Sequence, residues 1–359
     1  MPDLAPVDST TLIPDAISVV TATDTADARP RWSVMVPVHD CAGYLERALP
    51  EVLAQLGGRD DAEIVVVDDA SSDDPAGVVE RLGRGRVQYR PNPGHLGAVA
   101  TFNRCVDLAR GDLVHLLHGD DAVLPGFYAA MERALADPTA VAAVCRALDV
   151  DADDRPTHTT RSYRRGTGVW VGALESMVVS NRVRAPAIVV RRSAYEHLGG
   201  YRTDLPHAAD WNMWTRLAAY GPVVQVDQVL ACYRRHAASD TSTRVRTGAN
   251  VRERVTAIGS VLGHVPPERR RGLGRRALVY AAVFAFRSAL RLARAGELRS
   301  AGRVAREGLR CLTLLPGGLR ADGVPTAPDP APVSAPVSAP EASTGHRHAT
   351  AGDQQPTIG

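Results

Sequence analysis

Two pairs of aspartates are the residues of this sequence best placed to do chemistry. Asp68-Asp69 follow an apolar run at 63–67, and Asp120-Asp121 follow a second run at 113–119. Runs of this length, rich in Val, Ile and Leu, are typical of buried parallel strands. Ligands of an open α/β sheet bind outside the carboxyl ends of its strands, where neighbouring carboxylates repel one another unless a cation joins them. The two pairs therefore predict a site for a divalent metal that carries a diphosphate.

Strands and amphipathic helices alternate along the chain and are expected to position these aspartates. Strands are predicted over 32–38, 63–67, 87–90, 112–118, 140–147 and 187–191, and helices over 42–56, 75–83, 98–109, 125–136 and 172–180. This alternation predicts an α/β fold in which a mostly parallel sheet carries helices on both faces. The acidic stretch at 149–160 lacks periodicity, which predicts a loop.

A helical hairpin is predicted over 267–315. The apolar side chains that recur there every three or four residues are Val279, Val283, Phe286, Leu290 and Ala293. Arginines at 269–271 and 275–276 precede this apolar face. Two interpretations stay open: the face packs against the α/β domain or a second subunit as a homo-oligomer, or it makes peripheral contact with anionic lipid.

Composition divides the chain into four parts. Residues 1–30 are polar and are expected to form a disordered leader, and residues 321–359 are rich in Pro, Ala and Ser and are expected to form a disordered tail. Between them, we expect the α/β domain at 31–245 and a helical extension at 246–320.

Charge and cysteine content argue against several classes of protein. The net charge of +2 gives no reason to expect nucleic-acid binding. The five cysteines include no Cys-x-x-Cys pair, so neither a zinc site nor a disulfide framework is indicated. The sequence shows no secretory-signal pattern, and no apolar run reaches the roughly 18 residues of a membrane span. A cytoplasmic protein is expected, with peripheral contact on the inner face of the cell membrane as an open option.

The segment from Trp32 to about Ser242 resembles family 2 glycosyltransferases. Five ordered motifs carry the resemblance: Val36–Asp40, Val67–Asp73, Asn92–Gly97 with Asn103, Leu117–Asp121, and Gly199–Tyr201 followed by Asp210-Trp211. The resemblance implies a Rossmann-type GT-A fold, with a donor half at 31–125 and an acceptor half at 126–245. It also implies inverting transfer of a sugar from a nucleotide-diphosphate-sugar, most commonly a UDP-sugar, to a hydroxyl of a glycan, a lipid-linked molecule or a small molecule.

The same resemblance assigns donor binding to residue types that suit it. The implied donor-site residues are Pro37, His39, Asp40, Asp68, Asp69, Ser71, Gly94, Gly97, Asn103, His118, Gly119 and Asp120. Carboxylates accept hydrogen bonds from a base N–H or from ribose hydroxyls, and glycines let backbone approach the donor. Part of this acidic stretch has an alternative role, because residues 71–74 precede Pro75 in the pattern that caps a helix.

The implied cofactor is Mg²⁺ or Mn²⁺, with Asp120 as the first ligand. Asp121 is either a second ligand or holds the loop by accepting backbone hydrogen bonds. The family has an Asp where this chain has His118, so His118 either ligates the metal, contacts the sugar or lines the pocket. By itself, Gly-Asp-Asp is also ordinary turn chemistry.

Asp210 is implied to be the catalytic base that takes the proton of the acceptor hydroxyl. The alternative is helix capping, because a helix containing Trp211 and Trp214 is expected to begin there. The family commonly has Glu before this Asp, whereas this chain has Ala209. The departure bears on acceptor binding or on the tuning of the base.

Residues 233–236 resemble the family's loop after the last core strand. Arg234 and Arg235 are implied to bind the diphosphate, and His236 is a candidate third metal ligand. The alternative is a solvated basic loop.

Two rival functions are considered. A nucleotidyltransferase is disfavoured because residues 38–43 are acidic and poor in Gly. A non-catalytic nucleotide-sugar-binding or assembly protein on the same fold stays open because of His118 and Ala209.

Overall fold

The apolar runs of the first third of the chain form parallel strands, and amphipathic helices connect them. The structure is a computed structural model that describes residues 29–235 and 246–315. The first elements are β1 (Trp32–Val38), α1 (Ala42–Leu56), β2 (Ala62–Asp68), α2 (Pro75–Gly83), β3 (Val87–Pro91), α3 (Ala98–Leu108) and β4 (Leu113–Leu116). Their bounds agree closely with the periods in the sequence, because each change of period marks a change of element.

Shorter elements complete the α/β part. They are β5 (Ala122–Val123), α4 (Phe127–Ala134), β6 (Ala142–Val150), β7 (Pro156–Thr159), β8 (Gly168–Val169), α5 (Ala173–Val179), β9 (Ile188–Arg191), α6 (Arg192–Leu198), α7 (Ala209–Tyr220) and β10 (Val223–Arg234). The prediction of a loop over all of 149–160 is wrong in part, because β7 pairs antiparallel with the end of β6. β7 is short, polar and exposed, so it carries no apolar alternation that reveals a strand.

The strands of the described residues form one sheet in the order β3-β2-β1-β4-β9-β6-β10-β5, with β7 beside β6 and β8 beside β10. β1 pairs in parallel with β2 and with β4, and β6 pairs in parallel with β10. β9 is antiparallel to both β4 and β6, so those two strands point the same way. The predicted mostly parallel α/β sheet is confirmed, and the carboxyl ends of β1, β2, β4, β6 and β10 share one edge.

Apolar side chains cover both faces of this sheet. Every residue of β1 is buried. Val34 and Val36 pack with Leu45 and Leu49 of α1 on one face, and Met35 packs with the residues of α3 on the other. Because successive residues of β1 are buried on opposite faces of the sheet, helices cover both faces, and the carboxyl edge of the sheet is what stays free for a site.

Within residues 246–315, three helices follow the α/β part: α8 (Ala249–Leu262), α9 (Pro267–Arg294) and α10 (Leu298–Thr313). The predicted hairpin is confirmed as α9 and α10. The face of α9 that packs on the rest of the protein is rich in alanine: Ala277, Leu278, Ala281, Ala282, Ala285 and Ala289. The interpretation that the stripe of Val279, Val283, Phe286 and Leu290 packs against the α/β domain is therefore wrong, because all four side chains are exposed. Contact of this stripe with a second subunit or with lipid stays a prediction.

Several expectations lie outside the described residues or stay untested. The tail at 321–359 and nearly all of the leader at 1–30 are outside them. The domain boundaries remain predictions. Among the described helices, none combines the length and apolarity that crossing a lipid bilayer requires.

Candidate functional site

The carboxyl ends of β1, β2 and β4 bring three of the sequence motifs to one place. The Asp69 N–H donates to the Val38 carbonyl at 2.9 Å, and the Gly119 N–H donates to the Pro37 carbonyl at 3.0 Å. These bonds continue the parallel pairing past the strand ends. The loops after the three strands therefore start side by side, as the aspartate pairs predict.

Asp69 is buried and organises the Gly-rich turn at 92–97. Its Oδ1 accepts from Asn92 Nδ2 and from the Leu96 N–H, both at 2.7 Å. Its Oδ2 accepts from the Gly97 N–H at 2.9 Å. Burial acts to raise the pKa of Asp69, but these hydrogen bonds outweigh it and hold the pKa below its usual range. Its carboxylate thus fixes the loop that precedes α3, and direct contact with a nucleoside stays a prediction.

Asp68, Ser71 and Asp40 form a second network beside it. Asp68 Oδ1 accepts from the Ser71 N–H at 3.0 Å, and Asp40 Oδ1 accepts from the Ser72 N–H at 2.7 Å. The bonds from Ser72, backbone first, lower the pKa of Asp40. Ala70 stands where the family has Gly, and its φ of 60° explains that preference. The network is exposed on the Asp40 side, and contact of Asp40 with a donor stays a prediction.

Helix capping, the alternative role of this acidic stretch, is carried out by Asp73 and Asp74. Asp74 is the N-cap of α2 and accepts from the Gly77 N–H at 3.0 Å. Asp73 accepts from the Ala42 N–H at 2.7 Å, at the start of α1. Neither Asp68 nor Asp69 is needed for helix capping, which leaves them to shape the sheet edge.

His39 and His95 stand as a pair over the same edge. Their ring centroids are 4.3 Å apart, and Nδ1 of His39 lies 2.9 Å from the Asp69 carbonyl. His39, Asp69 and His95 could group around a cation, but the Asp69 oxygens are already occupied by three donors. His95 was not singled out from the sequence, although it lies inside the quoted Asn92–Gly97 motif.

Glycine is required at two positions of the site for different reasons. Gly97 precedes α3 with a φ of 87°, and a Cβ there would meet open space, so the backbone is accessible to a ligand. At Gly119, a Cβ would lie 2.6 Å from Val38 Cγ1 and 2.7 Å from Cys41 Sγ. The Asp120-Asp121 loop can therefore lie against the end of β1 only because residue 119 has no side chain. Gly94 has open space around it in the same turn as His95.

His118, Asp120 and Asp121 form the candidate metal centre. One potential ligand atom of each lies within 4.8 Å of the others. Asp121 Oδ1 accepts from the Arg234 N–H at 2.8 Å, as in the loop-holding alternative. Asp121 Oδ2 is buried and has no hydrogen-bond partner within the described ranges. Burial, and then Asp120, raise the pKa of Asp121 well above its usual value. A buried carboxylate in this state is stabilised by a cation, so these residues fit a divalent metal.

His118 lies between the metal centre and a small pocket. Its ring stacks on Phe102 at a centroid distance of 4.7 Å. Burial lowers the pKa of His118, and Asp120 and Asp210 oppose that shift. The lowered pKa favours the neutral imidazole, which is the form that ligates metals.

Arg234 is buried, which excludes the solvated-loop alternative for this residue. Its guanidinium donates to the Asp120 carbonyl at 2.8 Å and to the Asp151 carbonyl at 3.1 Å. It also forms an ion pair with Asp154 and lies 4.8 Å from the centroid of the Tyr44 ring. Arg234 therefore fixes the candidate metal loop, while its contact with a diphosphate stays a prediction. Arg235 is exposed, and His236 lies outside the described residues.

Asp210 occupies the first turn of α7. The N-cap of that helix is Ala208, so Asp210 does not cap it. Its Oδ1 accepts from the Trp211 N–H at 2.6 Å, and its Oδ2 accepts from Asn181 Nδ2 at 2.9 Å. Asn181 comes from the loop after α5, and nothing in the sequence pattern marks it.

One pocket brings Tyr201, Asp210 and Trp214 close to the candidate metal centre. It is lined by Phe102, Leu116, His118, Ala185, Tyr201, Asp210 and Trp214. Asn103, predicted for donor binding, lies behind this wall: its Nδ2 donates to the Tyr201 carbonyl at 2.9 Å, and its Oδ1 accepts from the Tyr201 N–H at 2.6 Å. Both amide groups are used inside the protein, so Asn103 positions Tyr201, and a direct contact with the donor stays a prediction.

The chain is similar to a known family and to several known proteins. The model of the family described as Glycosyl transferase family 2 matches residues 33–198. An uncharacterized protein of Mycobacterium tuberculosis is 32% identical over 252 residues, covering 67% of this chain and 77% of that protein. An uncharacterized glycosyltransferase of Haemophilus influenzae is 21% identical over 216 residues, covering 58% of this chain and 66% of that protein.

A solved structure shares the fold. The crystal structure of S. aureus TarS 1-349 in complex with UDP-GlcNAc has a TM-score of 0.52 at 14% identity, covering 78% of this chain and 92% of that chain. The residues that the family model matches, 33–198, contain the strand-end loops after β1, β2 and β4. From the family match, the Mycobacterium relative and the shared fold, it follows that this chain belongs to glycosyl transferase family 2.

Proposed function

We propose that this glycosyltransferase moves a sugar from a nucleotide-diphosphate-sugar to a hydroxyl acceptor, with a divalent metal and with inversion at the anomeric carbon. The observation that carries the proposal is the pocket in which His118, beside Asp120 and Asp121, faces Asp210. The residues proposed to stabilise the leaving group and the residue proposed to accept the proton then border the same pocket, as a direct displacement requires.

Residues of this chain would hold the metal through Asp120, Asp121 and His118. When bound, the ion would supply Lewis-acid stabilisation of the negative charge on the departing diphosphate. Asp121 supports this assignment, because its buried Oδ2 has no hydrogen-bond donor in the described part of the chain. Arg234 adds positive charge behind the same loop.

Asp210 would accept the proton of the attacking hydroxyl. Its Oδ2 is held by Asn181, which restricts the orientation of the carboxylate, and Asp210 lines the pocket. Attack from the side opposite the diphosphate would invert the anomeric carbon, through a transition state that resembles an oxocarbenium ion. Tyr201 and Trp214 line the same pocket but are buried, so they would shape its wall rather than stack on a sugar ring.

The nucleoside would occupy the edge formed by His39, Asp40, Asp68 and Ser71. The His39 and His95 rings are exposed and lie close together there, and Asp40 has access to hydroxyl donors. UDP-sugars are the first donors to test, and we propose UDP-GlcNAc as the starting point because a protein of this fold binds it.

Purified protein is to be tested with a panel of UDP-, GDP- and dTDP-sugars, with Mn²⁺ or chelator, for donor binding by thermal shift and for sugar release or transfer. We expect Asp120→Ala to lose metal-dependent donor binding. We expect Asp210→Asn to keep donor binding and to lower turnover by about 10²–10⁴-fold, the contribution of a general base.

Full turnover in Asp210→Asn would remove the base assignment. Donor binding by the parent protein without release or transfer of sugar, for every donor tested, would favour the non-catalytic binding alternative.

A further inference from the structure

The α9–α10 hairpin presents a second apolar surface that packing inside the protein does not use. Val279, Val283, Phe286 and Leu290 are spaced by four, three and four residues, so they form one stripe along α9. Their exposed fractions are 45%, 43%, 37% and 51%. Monomeric soluble proteins rarely leave such contiguous apolar stripes open, and those that do commonly use them for binding.

Arginines border this stripe. Arg276, Arg287 and Arg294 each stand three or four residues from one of its members and are exposed. Among the described residues, none of these three has an ion-pair or hydrogen-bond partner. The stripe and its bordering arginines are called the basic-apolar face below.

Charge is concentrated in this hairpin. Residues 267–315 contain twelve Arg and three Glu, a net charge of +9, whereas the whole chain carries +2. The remainder is therefore acidic, with a net charge of −7. A surface that is both apolar along its centre and cationic along its border matches an interfacial helix on an anionic bilayer.

The other occupants fit less well. A second copy would bring two strongly positive faces together, which like-charge repulsion disfavours. Residues 316–359 are rich in Pro, Ala and Ser and carry four acidic and two arginine residues. That segment has few large apolar side chains with which to cover a Val, Phe and Leu stripe.

Helix α9, which carries the face, also contacts the segment whose Asn181 holds Asp210. Tyr280, next to Val279 in α9, lies under the Arg182 guanidinium at 5.5 Å from the ring centroid. Arg182 directly follows Asn181, whose side chain holds Asp210. A surface bound at α9 would thus lie on the acceptor side of the molecule.

We propose that the basic-apolar face docks the protein on a membrane surface that contains anionic phospholipid. This inference does not depend on the catalytic proposal, because its test measures vesicle binding rather than sugar transfer. The full chain is to be mixed with phosphatidylcholine vesicles that contain or lack phosphatidylglycerol, at low and at high salt. We expect co-sedimentation with the phosphatidylglycerol vesicles only, and a loss of binding as salt rises.

Variants separate the two components of the face. Each Arg near an anionic surface contributes about 1 kcal/mol, or about fivefold in affinity, so Arg276→Gln with Arg287→Gln and Arg294→Gln should weaken binding roughly a hundredfold. Val283→Ser with Leu290→Ser should weaken it further by removing buried apolar area. The matched control, Arg84→Gln with Arg133→Gln and Arg161→Gln, removes the same charge from exposed positions elsewhere and should bind as the parent does.

Circular dichroism should show parent-like folding for all of these exposed substitutions. Equal sedimentation with both kinds of vesicle, absence of binding by the folded full chain, or an equal loss in the control triple variant would each overturn the proposal. Light scattering adds a further check. A dimer that Leu290→Ser dissociates, without vesicle binding by the parent, would assign the face to a second copy instead.

Discussion

Asn181 is the residue through which the structure adds most to the candidate site. One end of its amide accepts from the Val183 N–H at 3.2 Å, and the other donates to Asp210. The first contact fixes the orientation of the amide, and the second fixes the carboxylate. A base held in this way loses little freedom when an acceptor binds.

We expect Asn181→Ala to lower kcat by about tenfold or more while the donor Kd stays unchanged, because a hydrogen bond to a charged group contributes about 1.5–3 kcal/mol. Steady-state kinetics with the preferred donor, together with donor titration by calorimetry, would measure the two effects. Asn181→Ser keeps a short donor and should retain more activity. A change in donor Kd without a change in kcat would contradict the positioning role.

His118 is the residue at which this chain departs most clearly from the family pattern. Mg²⁺ prefers oxygen ligands and near-ideal octahedral geometry, whereas Mn²⁺ also accepts imidazole. If His118 ligates the metal, His118→Asp should raise the donor affinity measured with Mg²⁺ severalfold relative to the donor affinity measured with Mn²⁺. Parallel titrations of donor with the two ions would show it. An unchanged ratio would mean that His118 lines the pocket without contacting the ion.

At the scale of elements, the loop at 92–97 depends on one carboxylate. Asp69 has a folded-state pKa below its unfolded value, so its contribution to stability is present above about pH 4 and is lost as pH falls through the lower, folded pKa. We expect Asp69→Asn to be less stable than the parent near neutral pH and to show a smaller loss of stability on acidification. Urea unfolding at a series of pH values measures both. Parallel curves for the two proteins would contradict this account.

Much at this scale is predictable from the sequence, and the exceptions have physical reasons. The runs that end at Asp68-Asp69 and Asp120-Asp121 mark strands of one sheet, so their meeting at one edge follows from parallel pairing. β7 escaped prediction because it is short and polar. Asn181 acts through its contact with Asp210, 29 residues distant, and no local pattern encodes such a pair.

The two faces of α9 teach the same point about packing. Val, Phe and Leu give the stronger apolar pattern, but their stripe does not pack against the α/β domain. The observed packing face is largely alanine, which contributes little to an apolar pattern but lets helices approach closely. Gly308 of α10 fits this arrangement, since a Cβ there would lie 3.1 Å from Ala285.

For the molecule as a whole, this assignment of faces has a direct test. Ala281 lies on the packing face of α9 and is fully buried. Ala281→Leu should therefore destabilise the protein by about 1–3 kcal/mol through overpacking. Val283→Leu, two residues later on the exposed stripe, should change stability by less than about 0.5 kcal/mol. Thermal or urea unfolding compares them. The reverse ranking would indicate that the stripe containing Val283, rather than the alanine-rich face, packs inside the protein.

Helix α3 connects the halves of the site that the sequence presents as separate motifs. It starts at the turn held by Asp69, carries Phe102 against His118, and holds the backbone of Tyr201 through Asn103. Its 11 residues form a rod about 16 Å long. If α3 tilts when a nucleotide binds at the turn, Phe102 and Tyr201 would move in the pocket. Binding of the proposed donor would then change the affinity for the proposed acceptor.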